Sequence, residues 1–277
     1  MVRPSRQSQQ SFDEINRPVW SEFVHEFTSA DAWTDPGERN VLLALAPRIR
    51  NARILDVGVG AGRTTWILPL LTERYVAIDY TPKMVEAARR NHPDRDIRVG
   101  DARDLREFDD ASFDFVMFSY NGIDALAHED RRTSLAEFRR VLIPGGILMF
   151  STLDKDGKSF GRAPSVLGGR SEKRSRIDGA ISFARHLSLN TARYRRERTN
   201  WRRLSTRIED HGEWGVSPLA AQEYGLLVHF ITQRGERDEL NRLGFHVEAM
   251  VDNDGMDVAN FSARSSRSFF HIVATRT

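Results

Sequence analysis

The feature that most narrows the fold of this chain is the heptapeptide Asp56-Val57-Gly58-Val59-Gly60-Ala61-Gly62. It ends a short apolar run, ARILDVG, that reads as a buried strand, and it opens onto residues 63–71, whose apolar spacing predicts a helix. Glycines between a strand and a helix let the backbone approach a ligand more closely than a Cβ would allow. The dinucleotide pattern G-x-G-x-x-G would put its third glycine at Arg63, but here that glycine comes one residue early.

Strands and helices then alternate. YVAIDY is a strand. Thr81 and Pro82 open a helix to about Asn91, IRVGD and FDFVMFSY are strands, and residues 129–142 form a helix with Leu135, Phe138, Val141 and Leu142 on one face. Pro144-Gly145-Gly146 breaks the pattern before the strand ILMFST. Such alternation predicts a parallel sheet covered on both faces. Upstream, Trp20, Phe23, Val24 and Phe27, then Val41, Leu42 and Leu45, have helical spacing. Residues 1–50 are therefore expected to be a helical lid segment, frayed up to about Phe12.

After Thr152 the alternation lapses. Residues 154–221 read as a basic insertion of loops and helical pieces, a cap over an acceptor. The main domain is then 51–153 and 222–277, resuming with a helix at about 233–243, GFHVEAMV and SFFHIVAT. Between Leu153 and His211 stand fifteen Lys or Arg against seven Asp or Glu, so a chain of net charge +2 is acidic elsewhere. There is no cysteine, which excludes disulfides and thiolate metal sites. No apolar run approaches the roughly 20 residues of a membrane span. The N-terminus lacks the apolar centre of a secretion signal, so a cytoplasmic protein is expected.

Three acids stand at carboxyl ends of the expected strands: Asp56, Asp79 and Asp101. That edge is where open α/β sheets bind ligands. A carboxylate at the head of the loop disfavours a pyrophosphate and favours a cation. S-adenosylmethionine, with an ammonium and a sulfonium and no phosphate, fits. Asp79 is suited to ribose hydroxyls and Asp101 to an adenine amino group.

The motifs ILDVGVGAGRTT, VAIDYTPKMVEAAR, GDARDL, SFDFVMFSYNGID and FRRVLIPGGILMFST resemble the class I S-adenosylmethionine-dependent methyltransferases, in that family's order. The resemblance implies a Rossmann-like α/β fold: a seven-stranded, mostly parallel sheet in the order 3-2-1-4-5-7-6 with only the last strand antiparallel. It implies that Asp56, Gly58, Gly60 and Gly62 face the methionine part and that Asp79 and Tyr80 meet the ribose. Asp101, Ala102 and Met84 would meet the adenine, with Ser119, Tyr120 and Asn121 beside the reactive methyl. The Asn/Asp-Pro-Pro-aromatic motif of amino-directed nucleic-acid enzymes is absent, since Ser119-Tyr120-Asn121-Gly122 stands there.

Asp124 and His128, after the fourth strand, are the first candidates for a general base. His211 and Glu213 are second candidates, with Tyr224 toward the acceptor pocket and His229 as a packing residue. No spacing suits a metal. The expected reaction is O- or N-methylation of a small molecule of specialised metabolism, acidic in character. An RNA methyltransferase using the basic insertion and a non-catalytic S-adenosylmethionine-binding protein are the alternatives. A homodimer is compatible with the sequence.

Overall fold

The computed structural model describes residues 10–27, 32–164, 180–258 and 268–277, and of residues 26–27 and 180–190 the backbone alone. The expectations for the first nine residues and for the glycine-rich part of the insertion, residues 165–179, lie outside the described residues.

Three helices come first: α1 (Phe12–Glu22), α2 (Val24–Phe27) and α3 (Pro36–Ile49). Ser11 starts α1 with a capping box, its Oγ accepting from Glu14 N at 3.2 Å while Glu14 accepts from Ser11 N at 2.7 Å. Asp35 caps α3, with Pro36 in the first turn. The alternating region follows: β1 (Ile54–Val57), β2 (Tyr75–Asp79), α4 (Pro82–Asn91), β3 (Asp96–Val99), β4 (Phe113–Phe118), α5 (His128–Val141) and β5 (Leu142–Leu153). Beyond it lie α6 (Ala180–Leu204), β6 (Glu209–Asp210), β7 (Trp214–Pro218), β8 (Leu227–Ile231), α7 (Gln233–Arg242), β9 (Phe245–Asp252) and β10 (Phe269–Arg276).

The main sheet has seven strands in the order β3-β2-β1-β4-β5-β10-β9. Counted within this sheet, that is 3-2-1-4-5-7-6. Only β10 runs antiparallel, to both β5 and β9. One face packs Val116, Phe118, Phe150 and Ile272 against Leu135, Phe138 and Val141 of α5 and Leu240 of α7. The other packs Ile54, Ala77, Phe115 and Met149 against Val41, Leu45 and Ile49 of α3 and Val85 and Ala88 of α4. Burial on both faces accounts for the continuous apolar runs in the sequence.

Two expectations need correction. Residues 63–71 are not a helix but two 3₁₀ turns, Thr64–Trp66 and Leu68–Leu70. Pro69 withholds an N–H there, and Thr64 and Thr65 spend their hydroxyls on Asp56 and Tyr75. The insertion is not only helix and loop, because β6, β7 and β8 form a separate antiparallel sheet. That sheet runs past the expected boundary at Gln222, and its last strand meets the end of β5 through a bridge between Ile231 and Asp154. Its central strand, Trp-Gly-Val-Ser-Pro, carries a glycine and a proline that hide a strand signal.

Beneath α5 and α7 lies a buried charge cluster. Arg131, fully buried, donates to Glu239 at 2.9 Å and to Glu236, with Asp124 at 3.9 Å from its Nε. Three carboxylates face one guanidinium, with Arg132 reaching Glu239 only at 3.6 Å. Burial pushes the carboxyl of Asp124 up to about 8 and that of Glu236 up to about 7, against the pull of Arg131. Both values exceed those of an unfolded chain. The stability they contribute is therefore complete below the ordinary carboxylate range and is lost as pH rises through about 7–8. The neighbouring His128 and His229 are held below their ordinary value by burial, so they affect stability only on the acid side of it. The melting temperature should fall between about pH 6.5 and 8, and fall less in Asp124→Asn. A flat wild-type profile over that range contradicts the assignment.

Candidate functional site

The chain leaves β1 through the glycine loop and returns in β2, whose last residue, Asp79, faces the loop. Asp79 Oδ2 accepts from Gly60 N at 3.0 Å and Oδ1 from Thr81 N at 2.8 Å. Burial pushes this carboxyl up and the two N–H bonds pull it back, leaving it above its ordinary value. Gly58 has φ +64°, and a Cβ there would meet the Phe118 ring at 2.3 Å. Gly60 has φ +58°, yet a Cβ there meets nothing within 4 Å. The loop is thus closely packed beneath Gly58 and open above Gly60.

The open side is a cavity of about 300 Å³ beyond the carboxyl ends of β1, β2 and β4, where the strand order reverses. Of the residues expected at the cofactor, Gly58, Gly60, Asp79, Tyr80, Met84, Ser119 and Tyr120 line it. Asp56 lies beneath the loop, bonded to Thr64 and to Tyr75 at 2.7 Å, and its Oδ1 is buried with no hydrogen-bond partner. Burial pushes its carboxyl up to about 6 against the pull of those hydroxyls. Gly62 packs on His92, which contacts its carbonyl oxygen at 2.9 Å. Ala102 sits in the main core. Asn121 donates its N–H to Ser151 Oγ at 2.8 Å.

Asp101 is bonded within the chain. Both of its oxygens accept from Arg103, whose guanidinium also reaches Asp13 of α1 at 2.7 Å. Burial raises its carboxyl, and Arg103 more than reverses this, leaving it below the ordinary range. Asp101 anchors α1 by way of Arg103 and does not line the cavity.

Sequence reasoning missed Glu38, Arg63, Trp20, Trp33 and Gln222. Glu38 shares the buried face of α3 with Val41, Leu42 and Leu45. A carboxylate in that apolar stripe was the available signal. Glu38 accepts from Arg63 at 2.6 and 3.0 Å and from Ser119 Oγ. Arg63 also donates to the Trp33 carbonyl at 2.6 Å, holding the segment before α3 at the cavity rim. Burial disfavours the Arg63 charge, and Glu38 overrides that.

A family profile described as a methyltransferase domain matches residues 55–150. The ubiquinone biosynthesis O-methyltransferase of Xanthomonas oryzae pv. oryzae is 31% identical over 178 residues, 59% of this chain and 67% of that enzyme. The chain belongs to the class I S-adenosylmethionine-dependent methyltransferases. The malonyl-[acyl-carrier protein] O-methyltransferase of Yersinia pestis is 30% identical over 173 residues, which span 60% of this chain and 62% of that enzyme, less than two thirds of its length. Two solved structures share the fold. An S-adenosylmethionine-dependent methyltransferase from Mesorhizobium loti has a TM-score of 0.58 at 19% identity, covering 87% of this chain and 98% of that one. The 1,6-didemethyltoxoflavin-N1-methyltransferase of Burkholderia thailandensis, with S-adenosylhomocysteine and 1,6-didemethyltoxoflavin bound, has a TM-score of 0.58 at 15% identity, covering 99% and 94%.

The candidate catalytic residues of this methyltransferase lie off the cavity. Asp124 is fully buried and accepts from Thr152 Oγ1 at 2.7 Å and Leu153 N at 2.6 Å, so it supports the end of β5. His128 stacks on Trp214 at 4.0 Å and bonds His229 at 3.1 Å. His211 stacks on the Trp214 ring at 3.9 Å and pairs with Glu209. Glu213 bonds Thr232 and Arg234. Tyr224 is buried edge-on to Trp201 at 5.5 Å. Trp214 of β7 gathers His128, His211 and His229 of β8 against its ring, and none of the candidate residues lines the cavity. No helix among the described residues is long and apolar enough to cross a membrane.

The cavity suits S-adenosylmethionine by the open cradle at Gly60, the buried carboxylate of Asp79 and the unpartnered oxygen of Asp56. Calorimetry should show S-adenosylmethionine and S-adenosylhomocysteine binding, and NAD not. Gly60→Val should abolish that binding through the left-handed backbone. Asp79→Ala should weaken it by about 1–3 kcal/mol through lost charge-assisted hydrogen bonds. Unchanged affinity in both variants removes the loop and Asp79 from the site.

Proposed function

We propose that this methyltransferase transfers a methyl group to an oxygen or nitrogen of a small molecule with a flat, apolar body and an acidic group. The observation that carries the reading is the rim of the cavity. Trp33 and Tyr120, 49% and 47% exposed, meet edge to face at 5.6 Å, and the Arg63 guanidinium lies 5.5 Å over the Tyr120 ring. Trp20 lines the same cavity from α1. Wetted aromatic faces beside a cation favour a flat ligand that covers them, at roughly 25 cal/mol per Å² of apolar surface removed from water. The relative named as a ubiquinone biosynthesis O-methyltransferase, and the structural neighbour that holds 1,6-didemethyltoxoflavin, support a small-molecule acceptor.

Gly58, Gly60, Asp79, Met84 and Ser119 would hold the cofactor, which supplies a methyl group activated by its sulfonium. The chain's own part is to orient the acceptor and exclude water, which contributes on the order of 7–11 kcal/mol at best. Trp20 and Trp33 wall off solvent. Among the described residues no histidine lines the cavity. The phenols of Tyr80 and Tyr120 are pushed up by burial, so neither is a base near neutrality. Asp79 is engaged with the loop. The acceptor must therefore present a free lone pair, as a phenolate, a carboxylate or a neutral amine.

Isotope-labelled S-adenosylmethionine offered with aromatic acids, phenols and amines tests this, with label expected in a small-molecule product and turnover unaffected by chelator. Trp33→Ala should raise the acceptor KM roughly tenfold, about 1.4 kcal/mol, with S-adenosylhomocysteine affinity unchanged. His128→Asn should keep kcat within about twofold, where loss of a true general base costs about 10²–10⁴. Label appearing only in RNA contradicts the proposal.

A further inference from the structure

A second cavity, of about 390 Å³, opens between the end of α1 and one face of α6. Arg195, Arg196, Asn200 and Arg203 of α6 line it, with Gln222 and Glu223 opposite. Gln222 also lines the first cavity, so the two spaces share a wall. Arg196, Asn200 and Arg203 recur at helical spacing and present one polar face.

The guanidiniums differ in their commitments. Arg196 is held by the Glu223 carboxylate at 2.7 and 2.8 Å. Arg195 and Arg203 are exposed and have no side-chain partner among the described residues. Glu22 adds a second carboxylate to the rim. Three cations against two anions leave an excess suited to one anionic group and too small to track a phosphate backbone, whose binding grows with each phosphate neutralised.

The shared wall is itself held in an uncommon shape. Gln222, Glu223 and Tyr224 have φ of +46°, +55° and +59°, a left-handed run with no glycine. Such backbone persists only where its surroundings over-determine it, and it clusters at ligand sites. The clamps come from α6: Arg196 on the Glu223 carboxylate, Asn200 on the Glu223 carbonyl at 3.0 Å, and Trp201 against Tyr224. The helix that supplies the free cations therefore also positions Gln222 at the cavity where the methyl group would be transferred.

We infer that this groove takes the anionic end of the acceptor, a carboxylate or phosphate remote from the methylated atom, while the rest of the molecule passes Gln222 into the first cavity. The inference rests on the proposed small-molecule reaction and adds to it a two-part acceptor site. Arg195 and Arg203 hold the anion, and Gln222 contacts the acceptor between the two spaces.

Phenyl phosphate serves as the probe, titrated into the full chain saturated with S-adenosylhomocysteine, with phenol as its neutral counterpart. The wild-type protein should bind phenyl phosphate saturably. Arg195→Gln combined with Arg203→Gln should weaken that binding at least about tenfold, the scale of a lost charge-assisted contact. Phenol binding, S-adenosylhomocysteine affinity and melting temperature should stay unchanged. Equal phenyl phosphate affinity in both proteins, or no saturable binding to the wild type, overturns the inference. So does steeply salt-dependent binding of an RNA oligonucleotide lost in the double variant, which would assign the arginines to nucleic acid. Failure of S-adenosylhomocysteine to bind the wild type would instead strike the reading on which the inference rests.

Discussion

The site side of this molecule hangs on one buried carboxylate. Asp79 ends β2 and accepts from Gly60 N and Thr81 N, so it fixes the loop after β1 and the start of α4 together. A buried carboxylate is costly unless it is bonded, and two backbone N–H groups offset that cost for Asp79, which lines the cavity. The seven-stranded sheet makes this arrangement rigid. β1 and β2 are paired in register with both faces covered, so the loop and the acid cannot drift apart without disturbing the core.

The elements around the cavity are attached differently. α1 is tied down by Asn16, fully buried, whose amide donates to Ala125 O at 2.9 Å and Leu227 O at 2.8 Å and whose carbonyl accepts from Leu227 N at 3.0 Å. One side chain thus joins the N-terminal helix, the turn after β4 and the small sheet. Arg103 adds a tie from Asp101 to Asp13, and Arg63 fastens the Trp33 segment through Glu38. Two small apolar clusters lie beneath α1, one of Ile15, Leu204, Val216 and Leu227 and one in which Val19 and Trp20 pack against Leu153, Leu226, Val228 and Phe230. Lifting α1 breaks a few directional bonds and these two small clusters while the main core stays intact. Opening for ligand exchange is expected from such low-stability elements.

Much of the sheet could be read from the chain because buried parallel strands leave continuous apolar runs and helices leave periodic ones. The positions of the glycine loop and of Asp79 at strand ends were legible for the same reason, since each follows or ends a continuous apolar strand. What escaped depended on distance or on competition. Glu38 finds Arg63 across 25 positions, a pairing no periodicity encodes. Asp101, expected at the adenine, has both of its oxygens bonded to Arg103, two residues on. Asp124 and His128 follow the strand that leads to the cavity, yet the 3₁₀ turn Gly122–Ala125 directs Asp124 into the interior beside Thr152. The small sheet was missed because Gly215 and Pro218 interrupt its central strand and because basic residues dominate the preceding helix.

The structure of the chain bound to S-adenosylhomocysteine tests the central claim most directly. The account predicts the ribose hydroxyls within hydrogen-bond distance of the Asp79 carboxylate, the amino-acid end over Gly58 and Gly60, and the sulfur facing Tyr120. A complex with the nucleoside bound away from Asp79, or with the glycine loop not in contact with the ligand, would contradict it.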